Sequence, residues 1–320
     1  MSAPILRVAN LSRRFILSRA FLSRPAEMLI AVDDVSLDLA EGETLGIVGE
    51  SGCGKSTLAR MVLKILAPSS GRIELAGRDI TDLGEREMRP LRRQLQAVFQ
   101  DPMSSLNPRL RVRDIVAEPL RPLGLDRRTI AEKVRETLRL VGVPEGAEFR
   151  FPHAFSGGQR QRIAIARALV AEPRVVICDE ATSSLDVSVQ AQILNLIADL
   201  QARLGLSLLF ISHNLGAVRH VSQRVAVMYL GRIVEIGTEK DIFDRPAHPY
   251  TIALLAAVLE PVVGQDVAPP LTGEVPSAVN RPPGCHFHSR CPKAESRCST
   301  DDPALLPRRD GHLVRCHFPE

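Results

Sequence analysis

Residues 44–65 admit few architectures: a short, largely apolar run, TLGIV, leads into GESGCGKST at 49–57 and then into STLARMVLKIL, whose spacing suits a helix. The middle string fits Gly, four residues, Gly, Lys, Ser/Thr, and it lies between a strand and a helix, the context in which that pattern cradles phosphates. Each residue type has a reason. Gly49, Gly52 and Gly54 let the backbone curl so that the N–H groups of Ser51, Cys53 and their neighbours face a β-phosphate, while Lys55 adds a point charge. Ser56 and Thr57 open the helix, whose positive end favours an anion, and the Ser56 hydroxyl suits Mg²⁺. By itself the loop points to a nucleoside triphosphate and goes no further.

Other runs place the loop in a sheet. RVVIC at 174–178, LSLLFIS at 206–212 and RVAVMYL at 224–230 are apolar on both faces and separated by helix-like stretches, which predicts an α/β fold with a parallel sheet covered on both sides. Between 101 and 170 no comparable strand occurs, and Ile130, Val134, Leu138 and Val141 recur at helical spacing, so this stretch reads as a helical insertion. RVVICDE sets Asp179 and Glu180 at a strand's C-terminal end, where open parallel sheets bind ligands. The first acid suits Mg²⁺ and the second suits polarising a water for attack on a γ-phosphate. LLFISH brings His213 to another strand end. In FSGGQRQRIAIARALV, Ser156 and Gln159 have the form of a capping box, and Gly157 and Gly158 leave the backbone open to a phosphate.

Composition removes several function classes. No apolar run approaches the roughly 20 residues of a membrane-spanning helix, and MSAPILRVANLSRRF lacks the apolar core of a secretory signal, so the chain is expected to stay inside the cell with at most a peripheral membrane role. The net charge of +4, from 41 basic and 37 acidic residues, includes no long basic run, and with no Trp and two Tyr a stacking platform for bases is not expected. After about residue 260 the texture changes, for the last 60 residues hold 10 of the 23 prolines and Cys285, Cys291, Cys298 and Cys316. In an intracellular chain such a cluster points to a metal before disulfides, and an all-thiolate set suits either an iron–sulfur cluster or Zn²⁺. Cys53 and Cys178 read as small packing residues.

Taken together, residues 5–255 resemble the nucleotide-binding subunit of an ATP-binding cassette (ABC) transporter: the loop at 49–57, Gln100 of VFQDP, SGGQ at 156–159, Asp179 and Glu180, SSLD at 183–186, and His213. The resemblance implies a P-loop NTPase with a RecA-like core and a helical subdomain at about 101–170. It further implies Mg²⁺ held through Ser56, Gln100 and Asp179, hydrolysis served by Glu180, His213 and Gln100, and a dimer contact at Asp186. Two cassettes would meet head to tail, each ATP lying between one loop and the other's Ser156, Gly157, Gly158 and Gln159. An aromatic stacking on adenine just after the first strand would be Phe15. Two departures stand out: Phe155 replaces a commoner leucine, and Ala181 replaces the proline that usually follows the glutamate.

VFQDPMSSLNPR, IVAEPL, SSLDVSVQAQILNLI, FISHNL and HPYT at 248–251 look more specifically like the oligopeptide and dipeptide importers, and most like their F-type subunit. That branch implies a partner ATPase of different sequence, two transmembrane permease subunits, an extracytoplasmic peptide-binding protein, no nucleic acid, and a place on the cytoplasmic face of the inner membrane. It also implies a cassette at 1–258, a Pro- and Cys-rich extension at 259–320, and a [4Fe–4S] cluster on the four late cysteines, with Zn²⁺ as the alternative. The competing reading is a soluble ABC ATPase acting on nucleic acid or the ribosome through a C-terminal metal module.

Overall fold

The computed structural model describes residues 3–18, 27–101, 105–257, 273–309 and 311–320. Two sheets organise them. The larger has eight strands in the order β11-β12-β10-β9-β3-β8-β7-β6, built from β3 (Thr44–Val48), β6 (Leu95–Phe99), β7 (Val175–Asp179), β8 (Ser207–Ile211), β9 (Arg224–Tyr229), β10 (Arg232–Thr238), β11 (Leu306–Arg309) and β12 (His312–Val314). Its five strands from β9 to β6 are parallel. Beyond β9, the strands β10, β12 and β11 add an antiparallel edge.

Every residue of β3, β7 and β8 is buried, as expected of strands covered on both faces. The alternation of side chains divides the interior in two. Val48, Val98, Val176, Cys178, Leu208 and Phe210 face one core, which they share with the helical region; Leu45, Ile47, Val175, Ile177, Leu209 and Ile211 face the other. The second core is closed by the helix Lys55–Val62 and by a four-stranded antiparallel sheet, β2-β1-β4-β5, of β1 (Leu6–Ser18), β2 (Glu27–Leu39), β4 (Ser70–Leu75) and β5 (Arg78–Asp79).

Among the described residues between 101 and 170 there are helices and no strand, as the spacing predicts. Arg127–Leu140 starts on Asp126, whose carboxylate accepts from the N–H groups of Arg128 and Thr129, and it buries Val134 and Leu138 one turn apart. Among the described residues no helix is long and apolar enough to cross a membrane.

The C-terminal residues are tied to the sheet. β12 pairs with β10 through Glu235 opposite Val314 and Ile236 opposite Leu313. The Glu235 carboxylate is fully buried and accepts from the N–H groups of Ala247 and His248, with His312 Nε2 2.8 Å from Oε1. Phe287 is buried against Tyr229 and Tyr250, both at 5.4 Å between ring centroids. Arg281 pairs with Asp33 at 2.8 Å and donates to the Ile30 carbonyl at 2.5 Å. Proline-rich sequence with little apolar surface thus borrows the core of the sheet it lies on.

Candidate functional site

Four parallel strands end side by side. Phe99, Asp179 and Ile211 are in register across β6, β7 and β8, and Ile211 pairs with Ile47 of β3, so Gln100, Asp179, Glu180, His213 and the loop at 49–57 all leave one edge of the sheet. This is the edge at which ligands bind in open α/β sheets.

Two glycines of the loop are required by close approach. Gly49 has φ 151°, and a Cβ there would lie 2.1 Å from the Met228 carbonyl oxygen; Gly54 has φ 106°, and its Cβ would lie 2.1 Å from that of Ala31. The curl of the loop is therefore pressed against β9 and β2. Lys55 is buried and donates from Nζ to the carbonyls of Gly49 at 2.7 Å and Glu50 at 3.0 Å. Ser56 Oγ donates to Asp179 Oδ1 at 3.0 Å. Asp179 is buried, and burial above all pushes its carboxyl up, with the charge of Glu180 adding to the shift while the Ser56 bond opposes it. A part-buried hydroxyl–carboxylate pair beside a lysine is a donor set that fits Mg²⁺, whose usual arrangement is one or two protein oxygens with phosphate and water.

Glu180 has φ 51°, a left-handed conformation rare outside glycine and typical of constrained functional positions. Its N–H donates to the Ile211 carbonyl at 2.9 Å, which fixes the turn. The Glu180 carboxylate lies 3.3 Å from Nδ1 of His213, so the two join across neighbouring strand ends. Gln100 is exposed, and its carbonyl accepts from Ser184 Oγ at 3.1 Å, linking VFQDP to SSLD.

Ser156 caps the helix Gly157–Leu169 in the expected capping box: Gln159 N–H donates to Ser156 Oγ at 3.3 Å, and Ser156 N–H to Gln159 Oε1 at 3.1 Å. Ser156 and Gly157 are exposed. Gly158 has a packing reason as well, because a Cβ there would meet Val189 Cγ1 at 2.5 Å. Asp186 precedes the helix Val187–Leu204, is exposed, and makes no side-chain cap. Phe15 is not just after the first strand but inside it: β1 continues to Ser18 by pairing with β2, Phe15 faces Leu29, and Arg13 lies over its ring at 4.6 Å.

Cys285, Cys291, Cys298 and Cys316 line one small cavity with His248, Phe287, His288 and His317. Burial pushes the thiol of Cys285 up to about 11, with the neighbouring cysteines adding to the shift, and it raises those of Cys291 and Cys316 too. The expected ligand geometry is not formed, since among the described residues no group of three or more His, Cys, Asp or Glu side chains is arranged to hold a metal ion. The donor set itself, four thiols around one cavity, fits a four-thiolate centre. Cys53 and Cys178 are buried, as expected of packing residues.

Sequence reasoning missed Glu50 within the loop and Tyr250 and Arg290, which hold it from outside. Glu50 N–H donates to Tyr250 Oη at 2.9 Å, and Arg290 pairs with the Glu50 carboxylate at 2.8 Å. The bond to Glu50 is also the main reason the Arg290 guanidinium is held above its usual range. Tyr250 belongs to HPYT; nothing in the sequence marks Arg290.

A phosphate loop, a strand-end Asp-Glu pair, a neighbouring histidine and a capped SGGQ helix on a parallel sheet define an ATP-binding cassette ATPase. The ABC transporter family model matches residues 32–183, and that of the oligopeptide/dipeptide transporter C-terminal region matches 234–298. A "Probable peptide ABC transporter ATP-binding protein" of Sinorhizobium fredii is 50% identical over 99% of this chain and 90% of its own length. The oligopeptide transport ATP-binding protein OppF of Salmonella typhimurium is 46% identical over 98% of this chain and 95% of its own. Among solved structures, cbiO1 of Clostridium perfringens, part of the ABC transporter complex cbiONQ, superposes with a TM-score of 0.65 at 31% identity, over 76% of this chain and 92% of that one. The chain belongs to the ABC transporter ATP-binding family and is an ATPase of its peptide-transporter branch.

Proposed function

We propose that this chain is the ATP-hydrolysing subunit that energises import of di- or oligopeptides through a membrane ABC transporter. The observation that carries this reading is the near full-length similarity to peptide transport ATP-binding proteins together with a complete set of strand-end groups around the loop. In this reading, residues 49–57 bind the phosphates, Lys55 leaves the carbonyls of Gly49 and Glu50 for the β- and γ-phosphates, and Ser56, Gln100 and Asp179 hold Mg²⁺. The metal, when bound, neutralises charge developing on the phosphoryl oxygens. Glu180 orients and polarises the attacking water, and His213 fixes the Glu180 carboxylate and contacts the γ-phosphate. Because Asp179 is buried, its charge requires a cation beside it, which links a charged Asp179 to metal binding.

Ser156, Gly157, Gly158 and Gln159 would meet the ATP of a second, homologous ATPase subunit, Asp186 would lie at that contact, and Phe15 would lie against adenine. The exposure of Ser156, Gly157 and Asp186 supports such a contact. Permease helices would dock on residues 101–155, where a groove of about 1050 Å³ is lined by Arg113, Arg121, Arg127, Arg135, Glu148 and Phe149. Phe149 is 54% exposed there. The assembly would lie on the cytoplasmic face of the membrane and receive peptide from an extracytoplasmic binding protein. The chain divides into a cassette at 1–258 and an extension at 259–320, on which Cys285, Cys291, Cys298 and Cys316 would hold a [4Fe–4S] cluster, with Zn²⁺ the alternative.

The test is anaerobic affinity purification from gently solubilised membranes, with partners identified by mass spectrometry and iron, zinc and sulfide assayed on the same sample. Two permeases and a second ATPase are expected. Recovery of ribosomal proteins or nucleic acid without any permease would overturn the importer reading.

A further inference from the structure

The loop at 49–57 is held from outside by a residue 240 positions away. Glu50 has three polar groups, and each is engaged by a different part of the chain. Its N–H donates to Tyr250 Oη at 2.9 Å, and its carbonyl accepts from Lys55 Nζ at 3.0 Å. Its carboxylate takes two bonds from one guanidinium, Arg290 Nη1 at 2.8 Å and Nη2 at 3.1 Å. Arg290 is 8% exposed, and its Nη1 also lies 3.4 Å from Tyr229 Oη. A two-pronged arginine–carboxylate contact fixes direction as well as distance, which a lysine's single point charge does not.

The support behind Arg290 is equally fixed. Arg290 ends the turn His288–Arg290, and Phe287, just before that turn, is buried between Tyr229 and Tyr250. Tyr250 and Arg290 therefore share a wall, and that wall grips Glu50 by both backbone and side chain. Lys55 holds the Glu50 carbonyl from within the loop, and it must release that carbonyl when phosphate enters. A loop whose outer side is clamped keeps its curl through that exchange; an unclamped loop must be reordered by the nucleotide at a cost in affinity.

We propose that Arg290 is a positioning residue for ATP, acting through Glu50 to hold the phosphate loop open in its binding shape, so that the C-terminal segment forms an outer wall of the nucleotide site. The inference rests on the reading of residues 49–57 as the ATP loop.

The experiment measures, on the full-length protein, the Kd for a fluorescent ATP analogue and the single-turnover hydrolysis rate at saturating ATP. Arg290→Gln is expected to raise Kd about ten-fold while changing the saturated rate less than two-fold, because the clamp shapes binding and touches no reacting atom. Glu50→Gln should also raise Kd, the double variant should bind no more weakly than the weaker single one, and Arg290→Lys should recover part of the loss. Should Arg290→Gln fail to fold by circular dichroism, Glu50→Gln, whose carboxylate reaches the surface, carries the test with Arg290→Lys. Wild-type Kd in the folded single variants, or fully additive losses in the double, would overturn the proposal. Lys55→Ala separates the two readings: if it abolishes binding while the clamp variants bind normally, the clamp is wrong and the ATP loop stands. If Lys55→Ala binds ATP normally, the loop reading itself fails.

Discussion

His248 predicts a loss of stability in mild acid that one substitution removes. It is 1% exposed and caps the helix Pro249–Ala256, with Nδ1 accepting the Tyr250 N–H at 3.0 Å. A second proton on the ring would have to go on Nδ1, where it would meet that N–H. Burial above all pushes the imidazole from 6.5 down to about 3; a hydrogen bond to the Arg315 backbone opposes the shift and the charge of Arg315 adds to it. The folded form thus stays neutral while the unfolded chain protonates, so the unfolded state binds more protons and stability falls as pH drops below 6.5. Each pH unit in that window takes about 1.4 kcal/mol, which amounts to about 2 kcal/mol between pH 7 and pH 5. The assay is urea denaturation of wild type and His248→Asn at pH 7, 6 and 5. Asparagine is a strong helix cap and does not titrate, so the variant is expected to lose about 2 kcal/mol less over the range. His286, which burial pushes to about 4, is present in both proteins and cancels in the difference. Equal losses in wild type and variant would refute the reasoning.

Gly54→Ala should abolish ATP-analogue binding in calorimetry while the protein remains folded, because the added Cβ would sit 2.1 Å from the Ala31 carbonyl at φ 106°; wild-type affinity would show that the loop can relax. Glu235→Leu removes the acceptor of two buried N–H groups and the partner of His312, a loss of about 3–6 kcal/mol in denaturation, whereas Glu235→Gln, which keeps an oxygen, should lose less. Glu180→Gln should slow single-turnover hydrolysis about 10²–10⁴-fold with ATP binding retained, and undiminished turnover would remove Glu180 from the role of base.

Four of the five parallel strands were legible because burial on both faces leaves an unbroken apolar run: 44–48 is β3 itself, and 174–178, 206–212 and 224–230 fall within a residue of β7, β8 and β9; the edge strand β6, LQAVF, was not, for it is only partly buried and Gln96 interrupts its run. The antiparallel sheet was not. β1 reads LRVANLSRRFILS, and its register with β2 shifts between Val8 and Leu11 and again between Leu11 and Arg13, so the period-two alternation that would announce a half-buried strand is broken. β11 and β12 are four and three residues long in proline-rich sequence. They are held in place by β10 and the buried Glu235–His312 contact, which no local pattern can announce.

The site divides along the same line. Lys55, Ser56, Asp179 and Glu180 were legible because each stands in a short string whose neighbours say what surrounds it. The left-handed conformation of Glu180 is invisible there, for neither Glu180 nor the Ala181 that follows it favours a positive φ; the turn is imposed by the Ile211 carbonyl on the adjacent strand. The shape of the phosphate loop is likewise set by groups outside it. Met228 and Ala31 press their carbonyls on Gly49 and Gly54, while Tyr250 and Arg290 grip Glu50. Here β2, β9 and the C-terminal segment hold the curl of the loop from outside. The motif therefore specifies which ligand is bound, and residues up to 240 positions away determine how well the loop is prepared to bind it.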